Sequence, residues 1–281
     1  MAFRDASLEA LFRLLRQTSG LILTADKAYL VESRLKPVSA LLGFTDVERF
    51  VDYLALAPSA NAVQLTVEAM ATHETSFFRD QVPFDRLRTD LLPTLLKQKT
   101  ATAPLRILCA ACSSGQEPLS LAMMLDEMGL LPRVQITAFD ISEPILEKAR
   151  SGTYSAFQVN RGLTPERIAR HFTKTGDNFV AQPRLMQTIF YRSLNILSSL
   201  SGIGNFDIVF CRNVLIYFDD ATKTQILKTL SHCTEPNGVL ILGSSETLLR
   251  ENRAFVPEKN GRGIFIHQPA AVLHSARAAS A

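Results

Sequence analysis

At 281 residues the chain is long enough to bury a substantial core and long for one domain, so two domains are expected. Hydrophobic residues at 47% and charged residues at 20% describe an ordinary folded globular protein and exclude a disordered or fibrous one. The net charge of +3, with no long basic run, makes no electrostatic case for nucleic acid, although it is compatible with an acidic partner.

No run of roughly 18 apolar residues marks a membrane span, and the opening Met-Ala-Phe-Arg-Asp-Ala lacks an apolar signal core, so a cytoplasmic protein without membrane insertion is expected. The first helix is predicted over 7–17, with Leu8, Leu11, Phe12 and Leu15 on one face behind Ser7 as a cap, and Gly20 breaks it. A longer helix is predicted from Ala25 to Leu42, ended by Gly43, and two more over 46–57 and 60–71, parted by Pro58-Ser59. With no strand signal before residue 100, this is an all-α N-terminal domain. Its Arg34 and Lys36 are either the wet face of a helix or a contact for an acidic helix.

Residues 72–80 break the helical rhythm with Thr75, Phe77-Phe78 and Arg79-Asp80. Simple packing with a surface ion pair is one reading. The other puts Thr75 and Arg79 in a cleft, because the stretch lies where the helical segment gives way to an α/β one. After a helix over 84–99, the apolar run Leu105–Ala111 suits a strand buried on both faces. It turns through Cys112-Ser113-Ser114-Gly115 and enters a helix at Glu117-Pro118. In doubly wound α/β domains this strand–loop–helix unit holds a nucleotide-like cofactor.

The glycine pattern of a dinucleotide site and the Gly-Lys-Ser/Thr of a P-loop are both missing, and Glu117 at the helix start would repel a pyrophosphate but accept from an ammonium group. A second strand, Val134–Phe139, ends in Asp140, in the usual place of a ribose-hydroxyl acceptor. A nucleoside that lacks phosphates and carries an amino acid fits both features, and S-adenosylmethionine answers that description.

Of the four cysteines, Cys109 and Cys112 form a C-x-x-C that is either a redox pair or two small residues of a strand and its loop. No second C-x-x-C or histidine pair completes a zinc site, so no metal is expected. Farther on, helices open at Ser142-Glu143-Pro144 and at Thr164-Pro165-Glu166. Residues 173–193 then change character: Phe179-Val180, Leu185-Met186 and Thr188–Tyr191 resemble short strands around a Gly176-Asp177-Asn178 turn. They predict a small antiparallel insertion, either a structural connection or a docking edge for an extended peptide. A buried strand, Phe206–Cys211, leads to Arg212-Asn213, polar residues at the carboxyl end of a parallel strand, where such sheets bind ligands. A helix over 222–233, a turn at Pro236-Asn237-Gly238, a strand Val239–Leu242, the polar Ser244-Ser245-Glu246 at the same rim and a last strand pair complete the domain; 269–281 is expected to be a loose tail.

Thr75-x-Phe77-Phe-Arg-Asp, Ser114-Gly-x-Glu-Pro118, Phe139-Asp-Ile, Glu147-Lys-Ala-Arg-x-Gly-x-Tyr154, Leu194-Asn and Phe210-Cys-Arg-Asn-Val-x-Ile-Tyr-Phe218 occur in register. Together they resemble the CheR family of chemotaxis receptor methyltransferases, from the N-terminal helices to about residue 267. The resemblance implies a Rossmann-like α/β methyltransferase sheet with a small antiparallel β-subdomain, preceded by an all-α domain. The expected division is a receptor-facing domain over 1–75, an S-adenosylmethionine-binding domain over 76–268 with its insertion at about 173–193, and the tail.

Thr75, Arg79, Glu117, Asp140, Asn195, Ile196 and Asn213 fall on the family's cofactor-contacting positions, with Asn195-Ile196 near the adenine, and Arg79 and Tyr217 fall close to the reacting methyl group. His73 stands where an asparagine is common, and Cys112-Ser113-Ser114 replaces the more usual small-residue loop. The implied reaction moves a methyl group from S-adenosylmethionine to receptor glutamates, giving glutamyl methyl esters and S-adenosylhomocysteine. The implied partner is the acidic methylation helices of a chemoreceptor bundle, and nothing in the sequence demands more than a monomer. A methyltransferase for another substrate would share Gly115, Glu117 and Asp140, and the intact Arg79, Asp140, Asn213 and Tyr217 speak against a non-catalytic module of the same fold.

Overall fold

The computed structural model describes residues 3–100, 102–259 and 261–268; the expected tail over 269–281 lies outside them. The described residues divide into two compact units, one within 3–72 together with 217–222, the other within 73–216 together with 223–268.

The first unit holds the helices α1 (Asp5–Ser19), α2 (Ala28–Leu41), α3 (Val47–Leu56) and α4 (Ala60–Met70). Their apolar faces bury Leu11, Leu15, Val31, Leu35, Phe50 and Val51. Gly20 ends α1 in the left-handed conformation, and Asp46 and Ser59 cap α3 and α4 through their side chains. Ser7 is not the cap of α1. The helix begins two residues earlier, with Arg4 as its N-cap, and the Ser7 hydroxyl donates to Asp52 Oδ1 at 2.6 Å instead.

The expected basic pair also divides. Arg34 Nη1 donates to the Met70 and Ala71 carbonyls at 2.6 and 3.1 Å, and Nη2 to Thr72 Oγ1 at 3.3 Å, so this side chain closes the open carboxyl end of α4. Lys36 is exposed. The segment 217–222 belongs to this unit: the Tyr217 carbonyl accepts from the Ile22 N–H at 3.1 Å, and Arg16 pairs with Asp219.

The second unit begins with α5 (Gln81–Arg86), which runs through a π-helical turn at Leu87–Leu91 into α6 (Leu92–Gln98). There follow β1 (Leu105–Ala110), α7 (Gln116–Glu127), β2 (Val134–Asp140), α8 (Glu143–Ser151) and β3 (Thr153–Ser155). Next come α9 (Ala156–Asn160), α10 (Pro165–His171), β4 (Phe172–Thr175), β5 (Asn178–Ala181), α11 (Pro183–Met186) and β6 (Ile189–Ser193). Then come β7 (Phe206–Cys211), α12 (Asp220–His232, of this unit from Lys223 onward), β8 (Thr234–Leu242), β9 (Phe255–Pro257) and β10 (Ile264–His267).

Seven strands form one sheet in the order β6-β2-β1-β7-β8-β10-β9, parallel from β6 to β8 and antiparallel thereafter. The chain runs outward from β1 through β2 to β6, then returns to the other side of β1 as β7. The carboxyl ends of β1 and β7 therefore flank a switch point, where open α/β sheets take their ligands. This is the Rossmann-like arrangement expected, with all of β7 buried as befits a central parallel strand.

Two local readings change. The small antiparallel sheet is β3-β5-β4, so its strands come from 153–155, 172–175 and 178–181. Leu185-Met186 lies in α11, which Pro183 starts at its first turn, and Thr188–Tyr191 leads into β6, which pairs in parallel with β2 as an edge of the main sheet. Pro236-Asn237-Gly238 is no turn before a strand. It bulges inside β8, where residues 235–238 stand opposite Asp207 alone.

Replacing Arg34 by Ala strips the carboxyl end of α4 of a charged donor and is expected to cost about 1–3 kcal/mol. Lys36→Ala, on an exposed face, is expected to stay within about 0.5 kcal/mol. Urea unfolding of the two variants checks the contrast.

Candidate active site

The site is built from loops that leave the carboxyl ends of β1, β2 and β7. After β1 the chain passes through left-handed conformations at Ala111, Ser113 and Gly115, with φ of 55°, 52° and 85°. At Gly115 a side chain has no room. A Cβ there would stand 2.9 Å from both Ala149 Cβ and the Tyr191 hydroxyl, and 3.2 Å from the Tyr154 hydroxyl. Tyr154 holds the loop from behind by donating to the Ser114 carbonyl at 2.9 Å. Burial pushes both phenols up, so they stay neutral.

From β2, Asp140 turns its buried carboxylate to the same loop. Oδ2 accepts from the Ser113 N–H at 2.8 Å and Oδ1 from the Ser142 N–H at 3.1 Å. A carboxylate offers about four lone-pair sites, so two remain for a ligand.

Residues 73–80 are pinned across this rim. Ser113 Oγ donates to the His73 carbonyl at 3.0 Å and the Phe78 N–H to Ser120 Oγ at 3.0 Å. Phe77 and Phe78 are buried, Phe77 edge-on to Tyr154 and Phe172, and Phe78 to Phe84. Arg79 and Asp80 do not pair with each other. Arg79 Nη1 donates to the Glu74 carbonyl at 2.9 Å, and Glu74 is in turn paired with Arg161 at 2.8 Å. Thr75 lies half-buried in this stretch.

Asp80 instead meets Arg212, the residue after β7. Arg212 exposes 1% of its side chain and donates to Glu117 Oε2 at 2.9 Å, to the Arg79 carbonyl at 2.5 Å and to Asp80 Oδ2 at 3.0 Å. Glu117, in the first turn of α7, is thus anchored by one oxygen. Burial pushes its carboxyl above the usual 4.5, against the pull of Arg212.

Asn213 follows at φ 58°, with its N–H donating to Glu246 Oε2 at 2.8 Å. Asn195 and the buried Ile196 lie beyond β6, where Asn195 Oδ1 accepts from the Leu197 N–H at 3.0 Å. Tyr217 groups with the helical unit. The C-x-x-C is two free, buried thiols whose ionisation burial makes harder.

Two contributors escaped the sequence reading. In the sequence Tyr154 stands out only as part of a motif, and Glu246 only as a polar residue at the rim. An acidic residue just after the wholly apolar Val239–Leu242 was the available signal for Glu246.

Residues 73–264 match the family model described as CheR methyltransferase, SAM binding domain, and residues 6–70 match its all-alpha domain. The chain belongs to the CheR methyltransferase family. It is 39% identical to chemotaxis protein methyltransferase 1 of Pseudomonas aeruginosa over 255 residues, 88% of this chain and 92% of that one. It is 38% identical to chemotaxis protein methyltransferase 1 of Vibrio cholerae over 84% of this chain and 87% of that one. With the chemotaxis protein methyltransferase of Escherichia coli it shares 32% identity over 91% of this chain and 89% of that one.

The cofactor of a CheR domain is S-adenosylmethionine, and the donor set here suits it. An acceptor with spare lone pairs stands at the end of β2, and a second carboxylate with one oxygen outside its Arg212 bond stands at the start of α7.

Arg212→Ala would leave Glu117 and Asp80 without their shared cation. A loss of about 3–5 kcal/mol is expected, because an uncompensated buried charge costs more than the pair contributes. Thermal unfolding of the apo-protein checks it, and Arg212→Lys, a point charge that cannot span three acceptors, is expected to recover only part.

Proposed function

We propose that this chain methylates glutamate side chains on the cytoplasmic helical bundle of chemoreceptors, as its family resemblance implies; its relatives are named chemotaxis protein methyltransferases. The observation that carries the reading is the convergence of Asp140, Glu117 and the Arg212-Asn213 loop on one edge of the sheet, at its switch point. When bound, S-adenosylmethionine supplies an electrophilic methyl group, which passes to a carboxylate oxygen as the sulfonium sulfur takes back its bonding electrons.

The acceptor carboxylate is already ionised near pH 7, so no general base is needed. What the protein contributes is alignment, which in intramolecular reactions amounts to roughly 7–11 kcal/mol. Asp140 accepts from the ribose hydroxyls with its free lone pairs. Glu117 accepts from the ammonium group with its second oxygen, held in place by Arg212. Thr75, Asn195, Ile196 and Asn213 complete the cofactor contacts, Arg79 orients the ligands from the pinned 73–80 segment, and Tyr217 serves the methyl-transfer step. The helical unit, whose first segment ends at Thr72, faces the receptor. Lys36 is one exposed cation available to acidic methylation helices, whereas Arg34 is spent on α4. The outer edge of β4, with exposed Thr173, Lys174 and Thr175, is where an extended receptor peptide would add a strand.

Calorimetric titration with S-adenosylhomocysteine is expected to give one site, weakened about 10- to 100-fold in Asp140→Ala. Because burial raises the Glu117 carboxyl, affinity should be full at neutral pH and fall as pH drops through a value above 4.5, and Glu117→Gln should be weaker and lack that break. Label carried from the cofactor's methyl group to a chemoreceptor cytoplasmic domain should be released as methanol by mild base. Base-stable label would overturn the carboxylate acceptor.

A further inference from the structure

The loop that follows β7 is organised by a single side chain from the turn after β8. Glu246 is buried, and its carboxylate accepts five backbone N–H groups. Oε2 takes those of Gly243 at 2.7 Å and Asn213 at 2.8 Å. Oε1 takes those of Val214 at 2.9 Å, Leu215 at 2.7 Å and Ile216 at 3.3 Å.

Four successive amides, 213–216, therefore point at one anion. Successive amides turned to one anion form a nest, an arrangement that draws on left-handed residues beside right-handed ones. Asn213 is that residue, at φ 58°. Asparagine tolerates the conformation better than most residues, but it does not choose it unaided. The Glu246 carboxylate supplies the reason, because with Asn213 left-handed its own N–H and the next three meet the same two oxygens.

The Asn213 side chain is fixed in the same act. A Cβ placed on Gly243 would stand 2.8 Å from Asn213 Nδ2 and 2.8 Å from Glu246 Oε2, so both side chains are seated against the bare backbone of Gly243. The Glu246 N–H closes a turn onto the Gly243 carbonyl at 2.9 Å, which keeps the carboxylate beneath the loop.

We propose that Glu246 is a positioning residue for the cofactor site: its carboxylate holds the 213–216 loop in the one conformation that presents the Asn213 amide to S-adenosylmethionine. The proposal rests on the reading of Asn213 as a cofactor contact. It predicts that the pre-formed loop, and not contact of Glu246 with the ligand, carries its effect. Glu246→Gln keeps the shape but puts an inward-pointing donor where at least two N–H groups need an acceptor.

The test is a double-mutant cycle on S-adenosylhomocysteine affinity, read by calorimetry on the full chain, with thermal unfolding of each apo-protein alongside. Glu246→Gln is expected to weaken binding at least tenfold in the wild-type background and less than threefold in Asn213→Ala, because the amide it positions is already gone. Gly243→Ala is the second variant, should Glu246→Gln fail to fold. It crowds the same contact without removing the charge, and the same loss of effect in the Asn213→Ala background is expected.

Equal losses in both backgrounds would overturn the proposal, since they would mark Glu246 as a stabiliser of the domain alone. Unchanged affinity in a folded Glu246→Gln protein would overturn it too. If Asn213→Ala itself bound S-adenosylhomocysteine as tightly as wild type, the Asn213 contact would fall and the proposal with it. If Asn213→Ala weakened binding but the cycle were additive, only the role of Glu246 would fail.

Discussion

A guanidinium that shows 1% of its side chain to solvent has to find its counter-charges inside the protein, and Arg212 finds them on three separate pieces of chain. It bridges Glu117 at the start of α7, Asp80 before α5 and the Arg79 carbonyl, and so ties together segments whose positions the backbone hydrogen-bonding of the sheet leaves open. Desolvating such a charge is costly, and the structure offsets it with three acceptors and the face of Phe84, 5.6 Å from the guanidinium carbon. The arrangement sets Glu117: one oxygen is bound to Arg212, which leaves the other to meet a cation.

The same device recurs with carboxylates. Asp140 and Glu246 each accept backbone N–H groups from loops at the carboxyl edge of the sheet, and so order those loops before any ligand arrives. At the opposite end Asp207 accepts from the Arg106 N–H at 2.8 Å and pairs with Lys99 at 2.7 Å. There the acid joins β1, β7 and the residue after α6. Pre-ordering of this kind lowers the entropic cost of binding, because the loop residues have already lost their freedom. Five of the six non-glycine residues with positive φ among the described residues, Phe78, Asp80, Ala111, Ser113 and Asn213, belong to this rim. Backbone strain gathers where a binding site has to be held open.

Much of this was legible in the residues themselves. The apolar runs 105–111, 134–139 and 206–211 announced buried parallel strands, and the polar residues directly after them announced the binding edge. What stayed hidden was of two kinds. Short strands such as Thr153–Ser155 carry too few residues to show a period, and β6 resembles an antiparallel strand until its partner β2 is known. Long-range pairings leave no local trace: nothing near Arg34 tells that it will close α4 rather than face solvent, and nothing near Glu246 tells that five amides will converge on it. The adjacent Arg79 and Asp80 suggested an ion pair with each other, and tertiary contacts gave each a different partner.

The proposed cofactor site is the switch-point edge, with Asp140 and Glu117 as its two anionic anchors. A crystal structure of the protein with S-adenosylhomocysteine tests it most directly. The expected complex has the ribose hydroxyls on Asp140 and the ammonium group on Glu117, with the Arg212 bridge intact. A ligand bound away from this edge, or one that breaks the Glu117–Arg212 pair in order to bind, would contradict it.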